Sequence, residues 1–259
     1  MVDGANSISL AIEASEGPAV CAYVTAGYPN QEVFAEILRS VARAADVVEV
    51  GVPFTDPMAD GLTIQRASHV ALEDGVTLRG ILQVLAANRD DLAAPILLMG
   101  YYNPFLALGL EELGQVLEDA GVSGLIVPDL PLEESGPLRL AIEPHGLALV
   151  QLVTPSTPSD RLERLASASG GFVYAVTVKG VTGGQVNLSE DDLAYLGRVR
   201  AASTLPVLAG FGIRSSDDVA RLADHVDGVV VGSALIEAID RGGDPGGFVA
   251  SLRPAGAPS

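Results

Sequence analysis

Short apolar runs recur along the chain, and most segments between them have the spacing of amphipathic helices. Val33, Ile37 and Val41, for example, fall on one face of a helix. The apolar runs are almost continuously hydrophobic, as in strands of a parallel sheet that is covered on both faces. The eight predicted strands are Ala19–Thr25, Val47–Val50, Pro95–Met99, Gly124–Val127, Ala148–Val153, Phe172–Thr177, Pro206–Ala209 and Gly228–Val231.

Alternating strands and helices predict βαβ units, and eight such units without a break in composition predict one closed (β/α)8 TIM barrel over 1–259. We expect an N-terminal helical segment at 1–17 and a flexible tail at 254–259. The gap between the second and third strands is roughly double the others, which leaves room for an extended loop and an extra helix. An open doubly wound sheet is the alternative, but no GxGxxG motif follows the first strand.

Composition narrows the class of protein further. The 259 residues are 48% hydrophobic and carry a formal net charge of −18, which disfavours binding to nucleic acids or anionic membranes. The single cysteine, Cys21, cannot form an internal disulfide, and three scattered histidines are too few for a histidine metal site. Because histidines are so few, we expect no bound metal. Neither a signal peptide nor a membrane-spanning stretch is evident, so we expect a cytoplasmic protein.

Glu49 interrupts the valine-rich second strand, where burial removes the hydration of an ionised carboxylate. A carboxyl in such a place tends toward a raised pKa, which suits a group that gives and takes a proton near neutral pH. The alternative is a structural carboxylate that forms an ion pair with an arginine in the core. The strand by itself favours neither interpretation.

The loop Pro53–Gly61 after that strand contains prolines, a glycine and two aspartates, and is predicted to hold a defined shape. Asp60 is a candidate for chemistry, but it could equally cap a helix that starts near Leu62. Asp56, which precedes Pro57, is likewise either a functional residue or only a residue that forms the turn.

Glycine-rich turns follow the last three predicted strands, at Lys179–Gly184, Gly210–Ile213 and Gly232–Leu235. Glycines let backbone N–H groups approach an anion, and a helix that begins at Gly232-Ser233 would direct the positive end of its dipole there. Barrels commonly bind phosphate in the loops after strands seven and eight. The alternative is that these glycines only permit tight turns.

Three aromatic residues, Tyr101, Tyr102 and Phe105, follow the third strand. They either line a pocket for a flat substrate or pack the barrel rim. Independently of these aromatic residues, Glu49 and the glycine turns indicate an enzyme that acts on a phosphorylated small molecule and uses a carboxylate as acid and base.

Seven motif segments, spread over nearly the whole chain, carry a resemblance to a known family. They are Tyr23–Pro29, Glu49–Gly61, Tyr101–Pro104, Val127–Glu134, Gly180–Gly183, Gly210–Ile213 and Gly232–Ala234. In this order they resemble the alpha subunit of tryptophan synthase. The Glu49–Gly61 segment is highly specific, whereas many phosphate-binding barrels share the late glycine turns.

The resemblance implies a TIM barrel that cleaves indole-3-glycerol phosphate to indole and glyceraldehyde 3-phosphate, a retro-aldol reaction without metal or organic cofactor. It implies that Glu49 protonates C3 of the indole and takes the proton from the side-chain hydroxyl. It implies that Asp60 bonds the indole N–H and stabilises positive charge on the ring. This division agrees with the residues, since a desolvated glutamate can change protonation state while an aspartate at a loop end stays ionised.

The resemblance also implies a beta-subunit partner, in an alpha2-beta2 heterotetramer, and places pyridoxal phosphate only in that partner. The implied indole-pocket residues are Tyr23, Met99, Tyr101, Tyr174 and Phe211; the phosphate-binding residues are Gly183, Gly212, Gly232 and Ser233; and the loop or partner residues are Pro53, Asp56 and Thr182.

The chain departs from the family pattern at three positions: Val178 replaces a usual arginine, Thr55 a serine and Leu62 a proline. None of these changes removes a catalytic group. Three alternatives stay open: a stand-alone lyase that releases free indole, a weakly catalytic regulatory partner of a beta subunit, and a phosphosugar isomerase. The presence of both Glu49 and Asp60 argues against the regulatory partner, and the Glu49–Gly61 segment argues against the isomerase.

Overall fold

Eight parallel strands form a closed barrel in sequence order in a computed structural model of the chain, which describes residues 3–176, 188–210 and 212–254. Strand β1 pairs with β8 and thereby closes the sheet. The strands are β1 (Ala19–Thr25), β2 (Val47–Gly51), β3 (Ile96–Met99), β4 (Val122–Ile126), β5 (Ala148–Val153), β6 (Val173–Val176), β7 (Val207–Gly210) and β8 (Gly228–Val231). The predicted (β/α)8 barrel is confirmed, and the open sheet is wrong.

Twelve α-helices surround or extend this barrel within the described residues. They are α1 (Gly4–Glu13), α2 (Gln31–Ala44), α3 (Leu62–Glu73), α4 (Leu78–Asn88), α5 (Tyr102–Leu108), α6 (Leu110–Asp119), α7 (Gly136–Ile142), α8 (Ser159–Ala168), α9 (Glu190–Ala202), α10 (Ser216–Leu222), α11 (Ser233–Asp240) and α12 (Pro245–Ser251). Short 3-10 helices lie at Arg89–Asp91, Leu132–Glu134 and Glu143–His145. In the described part of the chain, none of the helices could cross a membrane.

The predicted extra helix after the second strand is present, because α3 and α4 both lie between β2 and β3. Two helices also follow each of β3 and β8, and of these α5 and α12 were not predicted. Helices α5 and α12 have only seven residues each, which is too short for a clear helical period in the sequence. Strand β4 begins two residues earlier than predicted because Val122 pairs with Ile96 before an irregularity in the register.

The predicted N-terminal helix closes the bottom of the barrel. Ile8 and Ile12 of α1 are buried and belong to the cluster of side chains that fills the barrel interior, with Val47, Leu97 and Phe172. The backbone N–H of Gly4 donates a 2.7 Å hydrogen bond to the carbonyl of Gly146. Residues 255–259 of the predicted C-terminal tail lie outside the described residues.

Alternate residues of each strand face the barrel interior, as the period of a strand requires. At the bottom and middle these side chains are apolar, for example Cys21, Val47 and Leu208. Near the C-terminal ends the same faces present Tyr23, Glu49 and Tyr174 instead. The change from apolar to polar filling marks the C-terminal end of the barrel as the place for chemistry.

Candidate active site

The site is built where neighbouring strands present their last inward-facing side chains. Tyr23 of β1 lies opposite Glu49 of β2, and Met99 of β3 lies opposite Gly51. Tyr174 of β6 faces the same interior space, and burial followed by the nearby charge of Glu49 raises its pKa. The closed sheet therefore brings together residues that are up to 151 positions apart in the sequence.

Glu49 is 1% exposed, and its Oε2 atom has no hydrogen-bond partner among the residues that the structure describes. Burial, with a smaller contribution from the charge of Asp60, raises the pKa of Glu49 from 4.5 to about 8. No cation in the described part of the chain acts in the opposite direction. The alternative of a carboxylate paired with an arginine is therefore wrong for these residues, and Glu49 is a neutral acid at pH 7.

Asp60 lies in the loop after β2 and is only partly exposed. Its backbone N–H donates to the carbonyl of Pro57 (3.2 Å), and its own carbonyl accepts a 2.8 Å hydrogen bond from the side chain of Gln65. The alternative role as a helix cap is wrong, because the residue before α3 is Gly61 and no side chain caps that helix. The Asp60 carboxylate therefore does not cap α3 and stays a candidate for a role in the chemistry of the site.

Burial raises the pKa of Asp60 from 3.8 to about 6, and a hydrogen bond from Tyr101 acts in the opposite direction. When Asp60 loses its proton, Glu49 still keeps its own, because the pKa of Glu49 is about 8. At neutral pH the pair therefore consists of one neutral acid and one anion. Two carboxyls whose surroundings separate their pKa values in this way are suited to different roles in one reaction.

Two glycines at strand ends make room for the tyrosines of the site. A Cβ atom on Gly51 would lie 2.0 Å from the hydroxyl of Tyr23, and one on Gly210 would lie 3.0 Å from the ring of Tyr174. Each tyrosine therefore leans across the end of the next strand. Neither Gly51 as a site residue nor Gly210 in this role was predicted from the sequence. The available signal was a glycine two residues beyond the position that pairs with each tyrosine.

Tyr101 connects the third strand to the loop that carries Asp60. It is 5% exposed, and its hydroxyl accepts a 2.7 Å hydrogen bond from the backbone N–H of Ala59. Its ring stacks on Phe54, with centroids 4.9 Å apart and planes at 22°. Phe105, by contrast, is fully buried in the layer between sheet and helices. The aromatic group after β3 thus divides between the site and the core.

The described part of the predicted phosphate site lies at the start of α11. Gly232 is the residue before this helix, Ser233 is its first residue, and no side chain caps it. Gly212, in the turn after β7, has a φ of +69°, a conformation that favours glycine. A Cβ atom on Gly232 would lie 3.5 Å from Tyr23, which places this helix start beside the aromatic pocket. Phe211, Gly183, Thr182 and Val178 lie outside the described residues.

The two described partner candidates lie on the loop at the barrel rim. Pro53 is buried, whereas Asp56 is exposed and accepts a 2.6 Å hydrogen bond from the Thr55 hydroxyl. Large apolar side chains are exposed on the same loop and just after it: Met58 is 90% and Leu62 84% exposed. In the described ranges, no group of three histidine, cysteine, aspartate or glutamate side chains is arranged to hold a metal ion.

Comparison with known proteins gives a consistent result. Residues 10–247 match the family described as tryptophan synthase alpha chain. The tryptophan synthase alpha chain of Bacillus cereus is 47% identical over 84% of this chain and 85% of that protein. A chain in the structure of Mycobacterium tuberculosis tryptophan synthase is similar to this chain, with a TM-score of 0.87 and 36% identity over 96% of both chains. A chain from the a2b2 tryptophan synthase complex of Pyrococcus furiosus has a TM-score of 0.85 and 32% identity, over 91% of this chain and 98% of that one.

Proposed function

The chain belongs to the tryptophan synthase alpha chain family, and we propose that it cleaves indole-3-glycerol phosphate to indole and glyceraldehyde 3-phosphate in the biosynthesis of tryptophan. The observation that carries the proposal is the pair of carboxyls at the end of β2 and in the loop that follows. A buried, neutral Glu49 and an ionised Asp60 match the two demands of this reaction, an acid that becomes a base and a fixed negative charge.

In the first step the Glu49 carboxyl gives its proton to C3 of the indole ring, and the ring becomes a cationic indolenine. The carboxylate of Asp60 accepts the N–H of this ring and stabilises its positive charge. Glu49, now a carboxylate, takes the proton of the hydroxyl on the side-chain carbon attached to C3. The bond between that carbon and C3 breaks, its electron pair returns to the ring, and indole and the aldehyde leave. Glu49 ends the cycle protonated, so no proton is gained or lost.

The residues around the two carboxyls support binding of this substrate. Tyr23, Met99, Tyr101 and Tyr174 provide an aromatic and apolar lining for a flat ring. The uncapped start of α11 at Gly232 and Ser233, with the turn at Gly212, would bind the phosphate through backbone N–H groups. Such donors suit an anion on a chain whose net charge is −18. Phe211 and Gly183 complete the two groups of proposed binding residues.

The proposal is tested by incubation of the purified chain with indole-3-glycerol phosphate and measurement of both products, indole and glyceraldehyde 3-phosphate. Equal amounts of the two are expected, in the presence of a metal chelator and without added pyridoxal phosphate. The absence of both products, with and without an added beta subunit, would contradict the proposal.

We expect Gly212→Val to raise the KM for the substrate about 10- to 100-fold, because it places a branched side chain where the phosphate must approach and removes hydrogen bonds to a charged group. Valine is also strained at the φ of +69°. Gly242→Val is a matched control, since Gly242 has a φ of +70° and open space around its Cβ position. The measurements are KM and inhibition by inorganic phosphate.

The control variant should keep the wild-type KM even if it loses stability. An unchanged KM in Gly212→Val, with unchanged phosphate inhibition, would place the phosphate site elsewhere.

We further propose that the chain is cytoplasmic, that it works with a pyridoxal-phosphate beta subunit in an alpha2-beta2 assembly, and that the loop 53–61 contacts this partner. The exposed apolar side chains of Met58 and Leu62, beside the exposed carboxylate of Asp56, support an interface at this rim. Pro53 and Thr182 are the other proposed loop or partner residues. Because the loop also carries Asp60, a partner bound there would act directly on the catalytic geometry.

Addition of a beta subunit is expected to increase the rate of indole release, and Asp56→Ala should reduce this activation more than it reduces the basal rate. The measurement is a titration with the beta subunit while indole release is followed. Asp90→Ala is the control, because Asp90 is also an exposed aspartate and lies in the connection that enters β3, at the opposite end of the barrel. A lone chain that is fully active and does not respond to the beta subunit would instead favour the stand-alone lyase.

A further inference from the structure

We propose that Tyr101 is a positioning residue, whose phenol holds the loop after β2 in the shape that presents the Asp60 carboxylate to the substrate. This inference rests on the function proposed above and assigns the tyrosine a role separate from lining the indole pocket. The role requires contact with more than one part of the loop, attachment to a rigid element and an effect on Asp60.

Tyr101 contacts the loop near both of its ends. Its ring stacks on Phe54, the third residue after β2, with a centroid distance of 4.9 Å. Its hydroxyl accepts the backbone N–H of Ala59, the residue directly before Asp60, at 2.7 Å. Aromatic stacking and a hydrogen bond from a single side chain therefore fix the distance between the start of the loop and its catalytic end.

The tyrosine is itself attached to the barrel. It directly precedes α5, and the backbone N–H of Tyr102, the first residue of that helix, donates a 2.9 Å hydrogen bond to the carboxylate of Asp129. Asp129 follows β4, so the contact joins the connections after two neighbouring strands. Tyr101 is the residue before α5, but its side chain does not cap that helix. Asp129 supplies an acceptor at that helix start and thereby holds the backbone from which Tyr101 reaches the loop.

The hydroxyl of Tyr101 also acts on the charge of Asp60. A phenol has one proton to donate and can accept a bond at the same time, so the hydroxyl that accepts from Ala59 still has a proton available for the neighbouring carboxylate of Asp60. Burial raises the pKa of Tyr101 to about 12, so this proton is present throughout the working pH range. The bond from Tyr101 lowers the pKa of Asp60 against the effect of burial. The same hydroxyl thus orients the loop and favours the ionised form of its carboxylate.

The test compares Tyr101→Phe, which removes the hydroxyl and keeps the ring, with Tyr195→Phe as the matched control. Tyr195 is also a buried tyrosine, and its hydroxyl donates a 2.7 Å hydrogen bond to the carbonyl of Val153, away from the loop. Two quantities are measured for each variant: the pH profile of kcat/KM, which reports groups of the free enzyme, and the titration of the Asp60 carboxyl carbon by NMR in the absence of substrate. The NMR titration does not depend on activity.

Tyr101→Phe is expected to shift both the acid limb of the profile and the Asp60 titration to higher pH by about one unit, so that kcat/KM falls about tenfold below the midpoint and recovers as pH rises. Tyr195→Phe should lose stability without either shift. Asp129→Ala should shift both in the same direction by less, and Asp129→Asn, which keeps the acceptor oxygen, should restore wild-type values.

Wild-type values of both quantities in Tyr101→Phe would overturn the inference, as would equal shifts in Tyr195→Phe. If the wild-type chain releases no indole either with or without an added beta subunit, the proposed function fails, and the NMR titration still decides whether Tyr101 controls Asp60.

Discussion

Glu49→Gln is expected to lower kcat for indole release by about 10⁴-fold or more, at the upper end of what general acid–base catalysis contributes, because one group serves both proton steps. Glutamine has nearly the same volume but can neither give nor take the proton. KM should change little, since the pocket keeps its shape. The measurement is steady-state release of indole at saturating substrate.

Glu118→Gln is the matched control for this change. Glu118 lies on α6, where its carboxylate contacts His145 at 2.8 Å, and it is remote in sequence and role from the proposed site. Its variant should release indole at the wild-type rate. If Glu49→Gln also kept nearly normal turnover, Glu49 would be only a core carboxyl.

The pH dependence of stability provides a second readout for Glu49→Gln. The pKa of Glu49 is about 8 in the folded protein against 4.5 as the ordinary value, so between these limits the folded state binds more protons than the unfolded state. The free energy of unfolding of the wild type therefore falls as pH rises through this window, by about 1.4 kcal/mol per unit of pKa difference. Because glutamine does not ionise, the Glu49→Gln variant should not show this fall in the free energy of unfolding. Thermal unfolding should find the variant more stable than the wild type above pH 8, which would also establish that it folds.

Asp60→Asn is expected to lower kcat by about 10²- to 10³-fold while KM stays close to its wild-type value. The negative charge of Asp60 matters most when the ring becomes cationic, and an interaction realised only in the transition state changes kcat and not KM. A large increase in KM with unchanged kcat would identify Asp60 as a binding residue instead.

The same variant should change the pH profile in a defined way. The wild-type kcat/KM should rise as Asp60 ionises near its pKa of about 6 and fall as Glu49 ionises near its pKa of about 8. Because asparagine does not ionise, the variant should lack the acid limb of the profile. It also removes the charge that contributes to the raised pKa of Glu49, so the second limb should move to lower pH. A profile with an unchanged acid limb would mean that another group controls it.

Much of the architecture could be predicted because its signals are local in the sequence. The eight strands are near-continuous apolar runs, and the helices between them keep a 3.6-residue period. The sequence failed where elements are short: α5 and α12 span seven residues each, too few for a period to emerge. It was also inexact where polar Ser123 lies inside β4 and breaks the apolar run.

Some features of the candidate site could also be predicted from the sequence, whereas others depended on the fold. The residue type of Glu49 in a valine-rich strand already indicated a desolvated carboxyl, and the resemblance of Glu49–Gly61 to a known family pointed to the chemistry. Whether an arginine paired with that carboxyl, or whether Asp60 capped a helix, could not be decided along the chain. Both alternatives concern partners brought in by folding, and the structure rejects them among the residues it describes.

By itself, the sequence determined the barrel, its family and the identity of the two carboxyls, because burial of a strand and the chemistry of a side chain follow from residue type and local pattern. Only the tertiary structure decided the separation of their pKa values, the room that Gly51 makes for Tyr23, and the contact of Tyr101 with Ala59. Each of these depends on closing the sheet and on the exact approach of loops from different strands. Desolvation, steric space and hydrogen bonding act over a few ångströms, and positions 42 residues apart, such as Ala59 and Tyr101, reach that range only in the folded chain.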